Sequence, residues 1–435
     1  MKIAHIIPGS GGSFYCGNCL RDSKYVKALK DLGHQVIKVP MYLPLFDDAH
    51  DLEEVPVFYG AVNLYLKQRF PLFRHMPAFV EHALDSRSVL HLAAQKAGST
   101  RAKGLEEMTL SMLLGEEGQQ KAELDRMVDW LVNEAKPDII HLSNALLLGL
   151  VRTIKERLKV PVVCSLQDED VWVDVMSDQH RQEVWDLMSE RGKEVDAFIP
   201  VSDYYAGYIR TKMKIRNEQL HTVHIGVDPY DYSPGRIAAK KPVIGYISRM
   251  CEENGLAVLV DAYILLMKNP QFSEVTLQIT GGKTDDDTLF IKEQKHKISA
   301  AALSDKVFWI EEFEGEERIN FYDTVRVISV PVLNGEAFGL YQLEAMASGI
   351  PMVQPALGAF PEVITLSGGG LIYTPNDAAH LSAALASLIL DEEQLVALST
   401  AGVEGVKGHF DIHQQAKKMV EVYEQVLSNQ KGPIQ

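Results

Sequence analysis

The residues best suited to chemistry are two glutamates eight positions apart, Glu336 and Glu344, in the segment NGEAFGLYQLEAMASGIPMVQP at 334–355. The segment predicts a loop that leads into a helix starting near Gly339, and ligands of open α/β sheets bind where such loops leave the strands. Backbone amides at a helix start are free donors, and the helix dipole favours an anion there. A carboxylate one turn inside the helix can accept hydrogen bonds from two vicinal ribose hydroxyls. We expect three residues to donate their amides to a diphosphate: Phe338, Gly339 and Leu340.

A second candidate for binding phosphate is the turn GSGG at 9–12, which follows a short strand candidate and precedes a helix candidate. Small residues let the backbone approach an anion closely, so we expect Gly11 and Gly12 to face a phosphate. The turn continues into CGNC, where Cys16 and Cys19 have three interpretations: half of a zinc site, a redox pair, or two partly buried thiols that shape the loop. The sequence has no second CxxC or HxxxH with ligand spacing, so we favour the third and predict no metal site.

Length and charge restrict the class of protein. At 435 residues the chain exceeds what one hydrophobic core usually supports, which predicts two or three domains. The formal net charge of −16, without a basic patch, argues against nucleic acid or an anionic membrane surface as partner. The N-terminal apolar run is too short for a signal peptide or a membrane span, so we expect a cytoplasmic protein with no integral membrane segment.

Strand candidates alternate with helix candidates in both halves of the chain. This alternation predicts two Rossmann-like domains of the α/β class, each with a doubly wound parallel sheet. Proline, glycine and paired lysines interrupt the pattern once, which indicates a linker. The predicted divisions are an N-terminal domain at 1–225 with a helical insertion at about 60–135, a linker at 226–242, a C-terminal domain at 243–410, and a helix with a tail at 411–435.

The segment EAFGLYQLEAMASGIP, together with IGYISRM at 244–250, LQITGG and GAFPEVI in that order, resembles a known family. It is similar to the E-x7-E signature of retaining nucleotide-sugar glycosyltransferases with the GT-B fold, family 4 type, also called glycosyl transferases group 1. The resemblance spans most of the C-terminal domain. It implies two Rossmann-like domains that face a cleft, with the acceptor on the N-terminal domain and the nucleotide sugar on the C-terminal one.

The resemblance also implies roles for individual residues. It assigns Glu336 to the transferred sugar, Glu344 to the ribose and Arg249 to the donor diphosphate, which makes Glu336 and Arg249 the catalytic candidates. The family usually has a lysine five residues after the arginine, and Asn254 stands there instead. Because asparagine carries no charge, we expect weaker binding of the donor or a different placement of it.

Three further residues are candidates for contacts with the sugar or the acceptor. In PVVCSLQDEDVW at 161–172, Gln167 stands where relatives carry a histidine that contacts the donor sugar, and Asp168 follows it. A glutamine amide can still bind a sugar hydroxyl. Glu362 either contacts the sugar or caps a helix, whereas we expect His141 to be an interior histidine with its hydrogen bonds satisfied.

The predicted function is transfer of a sugar from a nucleotide diphosphate sugar, with retention and without a metal or a cofactor, because helix amides and Arg249 neutralise the leaving diphosphate. The alternatives for the acceptor are a glycan, a lipid-linked molecule and a small molecule. A second hypothesis is a nucleotide-sugar-binding protein without turnover, which Asn254 and Gln167 motivate. A third is a metal-dependent transferase that uses a DxD motif at Asp168–Asp170 or Asp285–Asp287.

Overall fold

The chain forms two compact units in the computed structural model. Unit 1 contains most of the chain up to His224 and the segment that begins at Gln415, and unit 2 consists mainly of Ile225–Gln414. Apart from the side chain of Cys19, the structure describes residues 1–8, 17–41, 58, 104–312 and 315–430. The predicted helical insertion therefore lies largely outside the described residues, and its described part, from 104 to 135, is helical.

Unit 1 contains a five-stranded sheet in the order β2-β1-β3-β4-β5, in which every pair is parallel. Three of its strands are buried throughout, which explains their mainly apolar sequences. The strands are β1 Lys2–Ile7, β2 Gln35–Pro40, β3 Ile139–Leu142, β4 Val162–Leu166 and β5 Ala197–Pro200. The helices are α1 Gly17–Asp31, α2 Glu106–Leu114, α3 Lys121–Trp130, α4 Val151–Leu158, α5 Glu169–Val173, α6 Asp178–Gly192 and α7 Asp203–Met213.

Unit 2 contains a six-stranded parallel sheet in the order β11-β10-β9-β6-β7-β8. Its strands are β6 Val243–Ile247, β7 Thr276–Thr280, β8 Val307–Trp309, β9 Val327–Ile328, β10 Met352–Pro355 and β11 Gly370–Tyr373. Its helices are α8 Leu256–Leu266, α9 Thr288–Ala300, α10 Gly315–Thr324, α11 Leu340–Ala347, α12 Phe360–Ser367, α13 Ala378–Leu390 and α14 Glu392–His409. The prediction of two doubly wound parallel sheets is confirmed.

The strand order of the unit 2 sheet shows where its direction of winding reverses. In unit 2, β6 lies between β7 and β9, so the direction of winding reverses between β6 and β9. Ligands of open parallel sheets bind at the carboxyl ends of the strands beside such a reversal. Arg249 follows β6 by two residues, and the loop with Glu336 follows β9. The topology therefore brings the two catalytic candidates to the same edge of the unit 2 sheet.

The last helix, α15 Ile412–Gln430, belongs mostly to unit 1, although it follows unit 2 in sequence. The Tyr423 hydroxyl lies 2.6 Å from Nδ1 of His141, and Ser165 Oγ lies 2.8 Å from Nε2 of the same ring. His141 is fully buried, so it is an interior histidine with both nitrogens satisfied, as predicted. No helix in the described ranges is long and apolar enough to cross a bilayer.

A buried acid follows the carboxyl end of β4. Burial raises the pKa of Glu169 to about 7, although hydrogen bonds from Ala145 N and the Tyr205 hydroxyl act against the increase. The Tyr205 hydroxyl oxygen lies 2.8 Å from Glu169 Oε2 and 2.9 Å from Asp170 Oδ1. One hydroxyl proton cannot serve two carboxylates, so a proton on Glu169 completes this network.

We expect the Glu169→Gln variant to lose less stability than wild type as the pH rises. Glu169 ionises near its ordinary value of 4.5 when unfolded and at about 7 when folded. Between these values the folded state binds more protons, so the free energy of unfolding falls by roughly 3 kcal/mol over this range and then levels off. Urea unfolding at pH 5 and pH 8 measures the difference.

The matched control is Glu183→Gln, because Glu183 is an exposed glutamate on α6 of the same unit. The stability of Glu169→Gln should increase relative to wild type between pH 5 and pH 8, and that of Glu183→Gln should not. An equal pH dependence in Glu169→Gln and wild type would show that Glu169 titrates normally in the folded protein.

Candidate active site

Helix α11 begins where the sequence predicts, with Gly339 as its N-cap residue at a φ of 86°. A Cβ atom at Gly339 would lie 2.9 Å from Glu336 Oε2 and 2.8 Å from Gln342 Nε2. The left-handed backbone therefore favours glycine, and an added Cβ would make the ends of both side chains shift. The half-buried carboxylate of Glu336 lies against the start of the helix, where the dipole stabilises a negative charge. The amide candidates Phe338, Gly339 and Leu340 all stand at this helix start and are buried.

Glu344 lies in the second turn of α11 and has no exposed surface. Its Oε1 accepts hydrogen bonds from the Arg318 guanidinium and, at 3.2 Å, from the Tyr232 hydroxyl, while Tyr322 donates to Oε2 at 3.1 Å. Burial, followed by the negative charge of Glu344, raises the pKa of both tyrosines well above the ordinary value, so both hydroxyls keep their protons. This pairing compensates the cost of burying the carboxylate.

Arg249 is fixed by a buried aspartate from the start of α9. Its Nε and Nη2 donate to the two oxygens of Asp287, each at 2.8 Å, and Nη2 also donates to Thr284 Oγ1 at 3.1 Å. The side chain of Asp287 is 2% exposed and that of Arg249 is 19% exposed. Burial alone would raise the pKa of Asp287, but hydrogen bonds from Arg249 and Thr284 lower it below the ordinary value. The pair holds the guanidinium in one orientation and offsets its charge.

The aspartate of this pair belongs to one of the two candidate DxD motifs, Asp285–Asp287. Asp287 accepts hydrogen bonds from Arg249 and also from the backbone and side chain of Thr284, at 2.7 and 2.8 Å. It therefore serves as an anchor for the arginine. Across the ranges that the structure covers, no group of three or more histidine, cysteine, aspartate or glutamate side chains could hold a metal ion.

Asn254 supports the loop that carries Arg249. Its Nδ2 donates to Ser248 Oγ at 2.8 Å and to the backbone oxygen of Arg249 at 3.3 Å. The Tyr246 hydroxyl donates to the same Arg249 oxygen at 2.9 Å. The asparagine therefore stands close to Arg249, as the five-residue spacing implies, and its amide stabilises the loop.

In unit 1 the candidate Gln167 contacts a buried arginine, Arg21, which the sequence did not indicate. Gln167 is 5% exposed, and its Oε1 accepts a hydrogen bond from Arg21 Nη1 at 2.9 Å. The guanidinium also donates to the backbone oxygen of Ser143 at 2.7 Å and to Asp22 Oδ1. Asp168 follows with a positive φ of 60°, an uncommon conformation for a residue other than glycine. The buried arginine thus orients the amide of Gln167 at the carboxyl end of β4.

The remaining candidates have different outcomes. Gly11, Gly12 and Cys16 lie outside the described residues, as does the side chain of Cys19. Glu362 is half-buried in the first turn of α12, where a carboxylate is favoured by the helix dipole. The start of that helix is joined to the Glu336 loop, since the amide of Ala359 donates to the backbone oxygen of Glu336 at 3.0 Å.

Sequence reasoning missed the residues that compensate the candidate charges. No spacing rule connects Arg318 and Tyr322, on α10, with a glutamate on α11, although their four-residue separation places them on one helix face. Asp287 did carry a signal, because it closes an acidic triplet, but the motif suggested a metal rather than an arginine.

Comparison with known proteins agrees with this geometry. The family model described as glycosyl transferases group 1 matches residues 233–404, and the one described as glycosyltransferase family 4 matches residues 90–230. A lipopolysaccharide core biosynthesis mannosyltransferase, LpsB of Rhizobium meliloti, is 28% identical over 54% of this chain and 67% of its own length. An MMP alpha-(1->4)-mannosyltransferase of Mycolicibacterium hassiacum is 28% identical over 67% of this chain and 71% of its own.

Solved structures show the same fold. HepE of Anabaena, crystallised with UDP, superposes with a TM-score of 0.68 at 17% identity, over 98% of this chain and 100% of its own. A sucrose-phosphate synthase of Thermosynechococcus elongatus gives a TM-score of 0.67 at 18% identity, over 98% of this chain and 99% of its own. With the two family models and the E-x7-E segment on α11, the fold completes the assignment: the chain belongs to the group 1 glycosyltransferases and has the GT-B fold.

Proposed function

We propose that this glycosyltransferase transfers a hexose from a nucleoside diphosphate sugar to an acceptor, with retention of configuration and without a metal ion or a cofactor. The observation that carries the proposal is the grouping at the unit 2 sheet edge. Glu336 and Glu344 flank the first turns of α11, and Arg249 leaves the strand beside the winding reversal. One short helix and the loop before it thus supply a half-buried carboxylate, backbone amides and a fully buried carboxylate in sequence.

In this proposal each part of the donor has its own partner. The vicinal hydroxyls of the ribose bind the carboxylate of Glu344, since an ionised carboxylate accepts strong hydrogen bonds. The diphosphate lies at the start of α11, where amides and the dipole favour an anion, and Arg249 contributes a charge-assisted contact. Glu336 lies three residues before the N-cap residue Gly339 and contacts the transferred sugar.

Retention follows a front-side route that needs no protein nucleophile. The bond between the anomeric carbon and the diphosphate oxygen breaks, and the acceptor hydroxyl attacks from the same face of the sugar. The acceptor proton passes to the leaving diphosphate oxygen, so protons and charge balance. The helix amides and Arg249 stabilise the charge that develops on the leaving group.

The engagement of both DxD motifs supports a reaction without a metal. Asp287 of the second motif is paired with Arg249, and Asp170 of the first lies 2.9 Å from the Tyr205 hydroxyl. A divalent cation at either motif would have to compete with these partners. Because the relatives include mannosyltransferases and a sucrose-phosphate synthase, GDP-mannose and UDP-glucose are the first donors to test.

We expect nucleotide release from at least one donor in a panel of GDP-mannose, UDP-glucose, UDP-N-acetylglucosamine and ADP-glucose, faster with an acceptor present. Candidate acceptors are a lipopolysaccharide core glycan, a lipid-linked sugar and a sugar phosphate. Coupled detection of the released nucleotide measures turnover, and the rate should be unchanged by EDTA. Binding of a donor in calorimetry without release would favour a binding protein, and a rate abolished by EDTA and restored by Mn²⁺ would favour the metal-dependent alternative.

Substitutions of the two glutamates should affect different quantities, nucleotide affinity for Glu344 and kcat for Glu336. Glu344→Gln should weaken binding of the free nucleoside diphosphate about tenfold to a hundredfold, because a charge-assisted contact with the ribose is lost. Glu336→Gln should leave that affinity within about threefold of wild type and lower kcat at least tenfold, since its contact forms with the transferred sugar. Isothermal calorimetry and initial rates measure the two quantities.

The control for both variants is Glu404→Gln, an exposed glutamate on α14 that pairs with Lys407. It should match wild type in both measurements. If Glu336→Gln turned over at the wild-type rate, Glu336 would have no role in the reaction. If Glu344→Gln bound the nucleoside diphosphate as tightly as wild type, Glu344 would not bind the ribose.

A further inference from the structure

The carboxylate that the proposed function assigns to the ribose is already occupied in this structure. Glu344 Oε1 accepts from the Arg318 guanidinium and from the Tyr232 hydroxyl, and Oε2 accepts from Tyr322. A carboxylate oxygen offers about two lone-pair directions, so two donors fill Oε1. A pair of ribose hydroxyls that needs both oxygens therefore cannot bind until one present donor leaves.

Arg318 is the donor best able to leave. The Tyr322 ring is 4% exposed and packs edge-on against Phe321 at a centroid distance of 5.6 Å, so it is fixed in the interior. The Tyr232 side chain carries no charge and has only two rotatable bonds before its ring. Arg318 is 20% exposed at its side chain, stands in the first part of α10 and has a long flexible stem. Its charge also makes it the donor that another anion can attract.

The diphosphate is such an anion, and Arg249, the cation that the proposed function places near it, is partly neutralised. Arg249 is bound by both oxygens of Asp287, and Asn254 adds no charge beside it. The α-phosphate is covalently attached to the same ribose that displaces Arg318 from Glu344. The Arg318 guanidinium, once released from Glu344, therefore lies within a side chain's length of the diphosphate. Its planar donor group suits phosphate oxygens.

We propose that Arg318 is the second cation of the donor site, an inference that rests on the proposed function. Without nucleotide the guanidinium neutralises Glu344. When the ribose takes Glu344, the guanidinium moves to the diphosphate and supplies the charge that is missing at Asn254. The exchange keeps the buried carboxylate hydrogen-bonded in both states, and it favours ligands that carry both a ribose and a phosphate.

The test compares a nucleoside with its diphosphate in Arg318→Gln. The probes are uridine with UDP, guanosine with GDP and adenosine with ADP, and the pair that wild type binds most tightly is used. Removing the guanidinium removes one of the two donors to Glu344 Oε1, so the nucleoside should bind about threefold to tenfold more tightly. The diphosphate loses a charge-assisted contact and should bind about tenfold more weakly. The matched control is Arg326→Gln, which removes an arginine that pairs with Glu392 in the same unit and should change neither affinity.

The outcomes separate this proposal from the proposed function. If wild type binds none of these nucleotides, the proposed function fails. If wild type binds these nucleotides but Arg318→Gln weakens the binding of nucleoside and diphosphate equally, or has the same affinities as Arg326→Gln, the role of Arg318 is wrong and the proposed function still stands. Should Arg318→Gln not fold, a crystal structure of wild type with the diphosphate decides. A contact between the Arg318 guanidinium and a phosphate oxygen, with no contact to Glu344, supports the exchange. An Arg318 contact with Glu344 that persists in the complex overturns it.

Discussion

Burial of the Glu344 carboxylate is the constraint on which the site in unit 2 depends. A carboxylate without exposed surface loses several kcal/mol of hydration, so it persists only where charge and hydrogen-bond donors surround it. Arg318 and Tyr322 reach it from α10, and Tyr232 reaches it from the loop before β6. The surrounding helix is otherwise apolar or uncharged, and all eight of its residues are buried. A charge kept at such cost agrees with a role in binding a ligand.

The same arrangement recurs at the carboxyl edges of both sheets. In unit 2, Asp287 neutralises Arg249, and in unit 1, Asp22 accepts hydrogen bonds from the buried Arg21. Each arginine is therefore held in one orientation by an acidic partner. Such preorganised groups lose little entropy when a ligand binds, which suits the stabilisation of a developing charge. What the two edges share is an arginine whose charge is neutralised by a neighbouring aspartate.

The sequence predicted the class of fold and placed the candidate residues at one edge of the second sheet, but it did not predict the pairing among them. The parallel sheets follow from apolar runs that alternate with helices, and the start of α11 follows from Gly339, whose left-handed conformation favours glycine. The partners of Glu344 and Arg249 lie tens of residues away, and only the tertiary fold brings them together. Asp287 illustrates the difference, because its acidic triplet suggested metal binding, whereas its position beside Arg249 makes it an anchor.

The most direct test of the account is whether Glu344 binds ribose hydroxyls. Calorimetry should compare a nucleoside diphosphate with its 2′,3′-dideoxy analogue, in wild type and in Glu344→Gln. The account predicts that wild type binds the analogue about tenfold to a hundredfold more weakly and that the variant discriminates by less than about threefold, because its contact is already weakened. Equal affinity of wild type for both ligands, or the same discrimination in the variant, would contradict the account.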